Sequence, residues 1–213
     1  MSWDWQFALE SLPPLLEAFL RVTLVVTVVG SVTAAVLGLV WAILLRSLPY
    51  VPAKALTWVL DFIRMTPLPV QLLFLYHSVP TLSALQVGII IIGIHYSTYM
   101  AESYRSGIES IPKGQWEATK ALSLPMSRTW RAVILPQALR ATIPSLGNWA
   151  IAMFKDTPFL IFIAAPEMVS VARNIGGTTF RYVEPFTIAG LIFLAASYPT
   201  AILMRRLETR LAY

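Results

Sequence analysis

The chain has 213 residues, of which 57% are hydrophobic and only 13% charged, with a formal net charge of +5 and no cysteine. Soluble domains carry about 25% charged residues, so the missing charge points to lipid as solvent. At about 20 residues per span the length admits about five or six spans and no large soluble domain. The lack of cysteine excludes disulfides, thiol chemistry and Cys-based metal sites, and a basic balance in such a chain reports cytoplasmic loops rather than nucleic-acid binding.

The N-terminal stretch carries Asp4, Glu10 and Glu17 among Trp3, Trp5 and Phe7. It lacks the basic start of a secretory signal and suits an interfacial segment on the outer side of a membrane. A first span is expected over 15–45, where Gly30, Ser31, Ala34, Ala35 and Gly38 put several small residues on one face and let another helix approach closely. Pro49 and Pro52 mark a short turn. A second span, about 55–79, is interrupted at Thr66-Pro67-Leu68-Pro69, since proline removes a helical hydrogen bond. In lipid the freed carbonyls need partners within the protein or at a cavity. Asp61 and Arg64 share one helical face and are expected to pair.

A tight turn at 80–83 leads to a third span over about 84–104. Residues 105–136 are too polar to cross. The fourth span starts near Gln137 and is irregular: Pro144, Gly147, Pro158 and Pro166 are expected to break it, and Lys155-Asp156 lies inside it. A polar stretch, 171–185, precedes a fifth span over about 186–204 and then Arg205, Arg206 and Arg210.

Lys and Arg set the orientation. With five spans, one set of loops holds Arg46, Lys54, Arg105, Lys113, Lys120, Arg128, Arg131, Arg140, Arg205, Arg206 and Arg210. The other holds only Arg173 and Arg181, with Arg21 a little way into the first span. The N-terminus is thus expected outside, the C-terminus inside, and 105–136 on the cytoplasmic side. The fold class is all-α, a polytopic membrane protein with five transmembrane helices.

Within the polar segment, 114–124 reads as a short surface helix. Pro112 precedes its first turn, Glu117 falls early, where a negative charge suits the helix dipole, and Pro125 stops it. Trp116, Ala118, Ala121 and Leu122 provide apolar contact. Two roles are open to such a helix: lying on the lipid surface, or docking a partner.

The chain resembles the integral-membrane permease subunits of binding-protein-dependent ABC importers, in particular the polar amino acid uptake group. The family's cytoplasmic signature is Glu-Ala-Ala, three residues, Gly, nine residues, Ile, one residue, Leu-Pro. Here the same spacing carries Glu117-Ala118-Thr119, Ser123, Val133 and Leu135-Pro136, with Thr119, Ser123 and Val133 as substitutions. Other blocks of the group occur in order: Arg64-Met-Thr-Pro67 through Tyr76, Tyr99-Met-Ala-Glu102 through Gly107, Leu135-Pro-Gln-Ala-Leu-Arg140, Pro144-Ser-Leu-Gly-Asn148 and Lys155-Asp-Thr157. The resemblance covers about 15–210.

It implies the type I ABC importer permease fold, a single transmembrane permease domain over 1–213, and a coupling-helix segment over 110–136 that sits in a groove of an ATPase subunit. Gly114, Trp116, Glu117, Ala118 and Leu122 would contact that ATPase, with Glu117 as the polar contact. The implied partners are a second permease subunit (the same chain or a related one), two ATPase subunits and an extracytoplasmic solute-binding protein, in a bacterial-type inner membrane. The implied cargo is a small polar solute, an amino acid or an amino-acid-like compatible solute of the ectoine type. The chain would be no enzyme and hold no cofactor, ATP and Mg being bound by the ATPase partner. The sequence itself has no P-loop pattern and no metal-ligand spacing around His77 or His95.

Ionisable residues at membrane depth are functional candidates. Glu167 follows Pro166, with Asn174 two turns on; its carboxylate either meets a cationic or zwitterionic solute or satisfies backbone that Pro166 frees. Lys155 and Asp156 either steady a helix break or gate, or touch solute. Glu102 is expected to pair with Arg105. Two rivals stand beside the importer. An ATP-independent secondary transporter or channel has no use for Glu117 and its helix. A membrane scaffold without transport would tolerate filling of the space around Glu167.

Overall fold

Hydrocarbon offers no water to backbone N–H and C=O groups, and helices satisfy these groups internally. The computed structural model describes residues 3–211, and every regular element among them is helical. Helix α1 (Trp5–Ala18) is capped by Asp4, whose carboxylate accepts from the Gln6 and Phe7 N–H groups at 3.0 and 3.1 Å. It continues through a π-helical stretch, Phe19–Thr23, into α2 (Leu24–Ser47), giving one 43-residue helix, Trp5–Ser47. The expected separation between an N-terminal segment and a span starting at 15 is therefore absent, and the helix runs through Pro13 and Pro14.

Helices α3 (Tyr50–Met65) and α4 (Leu68–Ser78) are bent by 100° at Thr66-Pro67, where the sequence predicts the break. Helix α5 (Ala84–Glu109) opens with a Ser83–Gln86 capping box and runs about one turn beyond its expected end. A short helix, α6 (Lys113–Ala121), and a single turn, α7 (Met126–Arg128), follow. A π-helical stretch, Thr129–Ile134, leads into α8 (Leu135–Asp156).

Pro144 and Gly147 do not break this helix, contrary to expectation. Pro144 is buried inside α8, and one missing N–H leaves the packing against α5 to hold the turn. The break comes at a 3-10 stretch, Thr157–Ile163, followed by left-handed Ala164 at φ 52°. Helix α9 (Met168–Thr179) departs from it at 49°, and α10 (Val183–Leu211) runs through Pro199.

Among the described residues three helices are long and apolar enough to cross a membrane: Trp5–Ser47, Ala84–Glu109 and Val183–Arg210. Counting each bent pair as one crossing raises the number to five at most. The centre of the molecule is α2 laid against α5. At Gly38 a Cβ would lie 2.9 Å from Met100 Cβ and 3.0 Å from both the Ala101 nitrogen and the Ser97 oxygen. The absent side chain is what allows the two backbones to meet. Val26, Ala34, Leu72, Ile92, Met100, Met153 and Leu160 fill the same core. A second cluster, Leu15, Ala18, Met168, Ala172 and Ala189, joins α1, α9 and α10. Arg181 closes that end: it pairs with Asp4 at 3.2 Å and with buried Glu184, and lies over the Phe7 ring.

Gly38→Leu is expected to destabilise the chain by about 1–3 kcal/mol, because rigid backbone blocks the new side chain. Gly190→Ala meets nothing within 4 Å and should be neutral or stabilising by up to about 1 kcal/mol. Thermal unfolding of the two variants in detergent checks the contrast.

Candidate functional site

Helix α6 is short, and its position depends on how it ends. Leu122 closes it, Ser123 takes a left-handed conformation at φ 53°, and two bonds lock the turn. The Leu124 N–H donates to the Thr119 carbonyl at 3.0 Å, and the Ser123 N–H to the Lys120 carbonyl at 2.9 Å. This is a Schellman stop, a geometry that favours glycine at the left-handed position. Ser123 stands where the resembled signature has glycine, so the turn retains the glycine conformation without the residue that adopts it at least strain.

The two faces of α6 differ. Thr119 is buried, and Trp116 turns inward onto a small cluster of Ile111, Ile134 and Ala138. There Trp116 meets Trp130 edge-to-face at 5.3 Å. Gly114, Glu117, Ala118 and Leu122 face outward. Leu122 and Met126 are 72% and 67% exposed, an apolar patch at the tip of a polar segment. Of the five residues expected to meet a partner, four share the free face, while Trp116 holds the helix in place. Glu117 lies in the second turn, since the helix begins at Lys113, and it has no ion-pair partner among the described residues.

At each broken span, a polar side chain replaces the lost backbone partner. Pro67 has no N–H for the Ile63 carbonyl. Gln71 Nε2 reaches that carbonyl at 2.7 Å, the Thr66 hydroxyl at 2.6 Å and the Thr66 carbonyl at 3.1 Å, and lies 3.2 Å from His95 Nδ1 on α5. Asp61 pairs with Arg64 beside it, as the spacing predicts.

At the second break Glu167 is wholly buried. Its carboxylate caps α9, accepting from the Val169 N–H at 2.9 Å, the Ser170 N–H at 2.5 Å and the Ser170 hydroxyl at 3.1 Å. Both carboxylate oxygens are engaged in that cap. Asp156 accepts from the Tyr96 hydroxyl at 2.6 Å, tying the end of α8 to α5. Lys155 is exposed beside a groove with Pro158, Phe186 and Phe193, and Asn174 is exposed on α9. No hydrogen bond or ion pair joins these four residues to one another. Glu102 pairs with Arg105, which also binds Glu109 at 2.7 Å.

A polar concavity lies elsewhere. A cleft of about 780 Å³ is lined by Gln115, Gln137, Arg140, Ser145, Asn148 and Glu208. It shares Ser110, Ala141 and Ser145 with a second hollow of about 400 Å³ bounded by Arg64, Tyr99, Glu102, Ser103 and Trp149. Ser103 and Ser145 are bonded at 2.7 Å, and the Trp149 indole N–H donates to Ser103 at 3.0 Å. This face is not among the candidate sites that the sequence motifs single out. Its signal was present as Tyr99, Ser103, Ser106 and Ser110, a polar stripe at helical spacing that starts in the third apolar span and continues past its expected end.

Residues 11–213 match the family described as binding-protein-dependent transport system inner membrane component. The chain belongs to that family. It is 39% identical over 209 residues to a probable amino-acid ABC transporter permease protein, y4tG of Sinorhizobium fredii, covering 96% of this chain and 90% of that one. It is 31% identical over 217 residues to the glutamine transport system permease protein GlnP of Escherichia coli, covering 99% of each. The crystal structure of an amino acid ABC transporter with histidines overlays at a TM-score of 0.91, with 28% identity over 99% of this chain and 100% of that one. The expected kinship with importer permeases of the polar amino acid group, and the all-helical fold that goes with it, therefore stand.

Replacing Glu167 by Leu leaves buried N–H groups without an acceptor and should cost about 1–3 kcal/mol. Glu167→Gln, whose amide oxygen still accepts, should cost less. Ser123→Gly should be neutral or stabilising by about 1 kcal/mol, and Ser123→Val destabilising by at least that much. Thermal unfolding, with protease sensitivity at 122–125 for the Ser123 pair, reads these effects.

Proposed function

We propose that the chain is the permease subunit of an ATP-driven importer in a bacterial-type inner membrane. It has five spans, the two bent helix pairs counting as one each, with the N-terminus outside and the C-terminus inside. The skewed distribution of Lys and Arg between the two sets of loops supports that orientation. The importer comprises this chain, a second permease subunit, two ATPase subunits that bind ATP and Mg, and an extracytoplasmic solute-binding protein. The chain performs no covalent chemistry and holds no cofactor of its own.

The observation that carries this reading is α6. An outward face of Glu117, Ala118 and Leu122, fixed by a locked turn and an inward tryptophan, suits a docking surface on a soluble partner better than a surface that lies in lipid. Gly114 lets that partner approach the backbone. Force from closure of the ATPase dimer enters the permease here. The polar cleft along α8, with the hollow between α5 and α8, supplies half of the translocation pathway, and the second permease subunit closes it. Glu167, Lys155 and Asp156 act on the pathway through the second helix break, and Asn174 lies beyond that break on α9.

The cargo is an amino acid or an amino-acid-like solute, including compatible solutes of the ectoine type. The named transport of glutamine and arginine by relatives supports that class. Alternating access in such a complex is the rocking of two membrane halves about a central site.

The test is reconstitution in vesicles with the ATPase and the solute-binding protein, presenting the common amino acids and ectoine. ATP-dependent uptake is expected. Glu117→Arg should lower it at least about tenfold, the scale of a charge set against its partner at an interface, with solute binding to the external receptor unchanged. Uptake that needs no ATP would identify a secondary carrier or channel instead.

A further inference from the structure

We infer that Arg46 fastens α6 to α2, so that displacement of the docking helix reaches the α2–α5 pair directly. Arg46 lies in the last turn of α2, where a cation is favoured by the unsatisfied carbonyls of the helix end. Its guanidinium carbon sits 5.0 Å from the Trp130 ring centroid and 5.9 Å from that of Trp116. Both distances are within reach of a cation–π contact. The two rings belong to different elements, α6 and the π-helical stretch before α8, and stand edge-to-face at 77°. One side chain thus holds the terminus of the first long helix against both helical parts of the docking segment. Among the described residues no carboxylate lies within ion-pair distance of Arg46.

The other attachments of α6 lead elsewhere. The chain joins it to α5 at Ile111–Pro112. The cluster of Ile111, Ile134 and Ala138, and the Gln137–Gln115 bond at 3.2 Å, join it to α8. Arg46 adds a route into α2, and α2 is locked to α5 at Gly38, where no side chain separates the backbones. Without Arg46, α6 could shift on α8 while α2 stayed behind. The planar guanidinium suits this position, since it can face an indole while its edges remain hydrated. Arg46 is a positioning residue: it touches neither solute nor nucleotide.

This inference rests on the coupling role proposed for α6, and its test separates the two. In reconstituted complexes, solute uptake and ATP hydrolysis are measured in parallel and expressed as ATP consumed per solute. The ratio cancels the amount of active complex, so a variant that merely folds less well leaves it unchanged. Arg46→Ala and Arg46→Gln should raise the ratio about threefold or more, the scale of one lost cation–π contact. Arg46→Lys, which keeps a cation over the rings, should stay near wild type. Trp130→Leu should raise the ratio alone and add little in the Arg46→Ala background. A wild-type ratio in Arg46→Gln, or equal uncoupling in Arg46→Lys, overturns the inference. If Glu117→Arg abolishes uptake while Arg46→Gln couples normally, the coupling role of α6 stands and the linkage through Arg46 falls. If uptake by the wild-type complex needs no ATP, the coupling role itself falls.

Discussion

A helix that breaks inside hydrocarbon exposes backbone groups that water cannot reach, and each such group left unpaired costs several kcal/mol. Among the described residues two bent helix pairs break in this way, and a side chain supplies the missing partner at each break. Gln71 donates to the Ile63 carbonyl that Pro67 cannot serve. Glu167 accepts from the first N–H groups of α9. With those groups satisfied, the chain can bend by 100° at one joint and 49° at the other without leaving bare peptide in the bilayer. Gln71 also reaches His95, and Asp156 holds Tyr96, so both joints are anchored on α5.

That anchoring gives the molecule a rigid middle. Helices α2 and α5 touch backbone to backbone at Gly38, and α5 meets α8 where a Cβ on Gly107 would run into Thr142. A separate cluster joins α1, α9 and α10, closed by Arg181 with Asp4 and Glu184. The polar cleft lies along α8, and the hollow beside it lies between α5 and α8, where Ser103 and Ser145 bond one another. The two-subunit pathway proposed above would need such an arrangement, a polar face on a stiff support.

Helix α6 is held as carefully as the core, although most of its residues are exposed. A Schellman stop, a buried threonine and a tryptophan pair fix its direction, leaving Glu117 and Leu122 on the free side. A helix of two and a half turns has little packing of its own, so its stop and the two side chains it turns inward fix its direction. Ser123 adopts the left-handed conformation that glycine reaches with less strain. The hydrogen bonds of the stop hold it there.

The amino-acid sequence by itself determined that the chain is helical and built for lipid, because hydropathy runs and scarce charge leave no other way to satisfy the backbone. It also located the break at Pro67, since a missing N–H is a property of the residue, and it carried the family signature in the spacing from Glu117 to Pro136. Tertiary structure alone decided which prolines matter. Pro144 stays inside a helix packed on α5, whereas the chain turns between Pro158 and Pro166, because the loss of one bond is outweighed where neighbours hold the turn. The same holds for side-chain direction. Trp116 faces inward, Glu167 spends its carboxylate on a cap, and Arg46 finds two rings from residues far along the chain. Those outcomes depend on contacts between segments distant in sequence, which only the packed structure brings together.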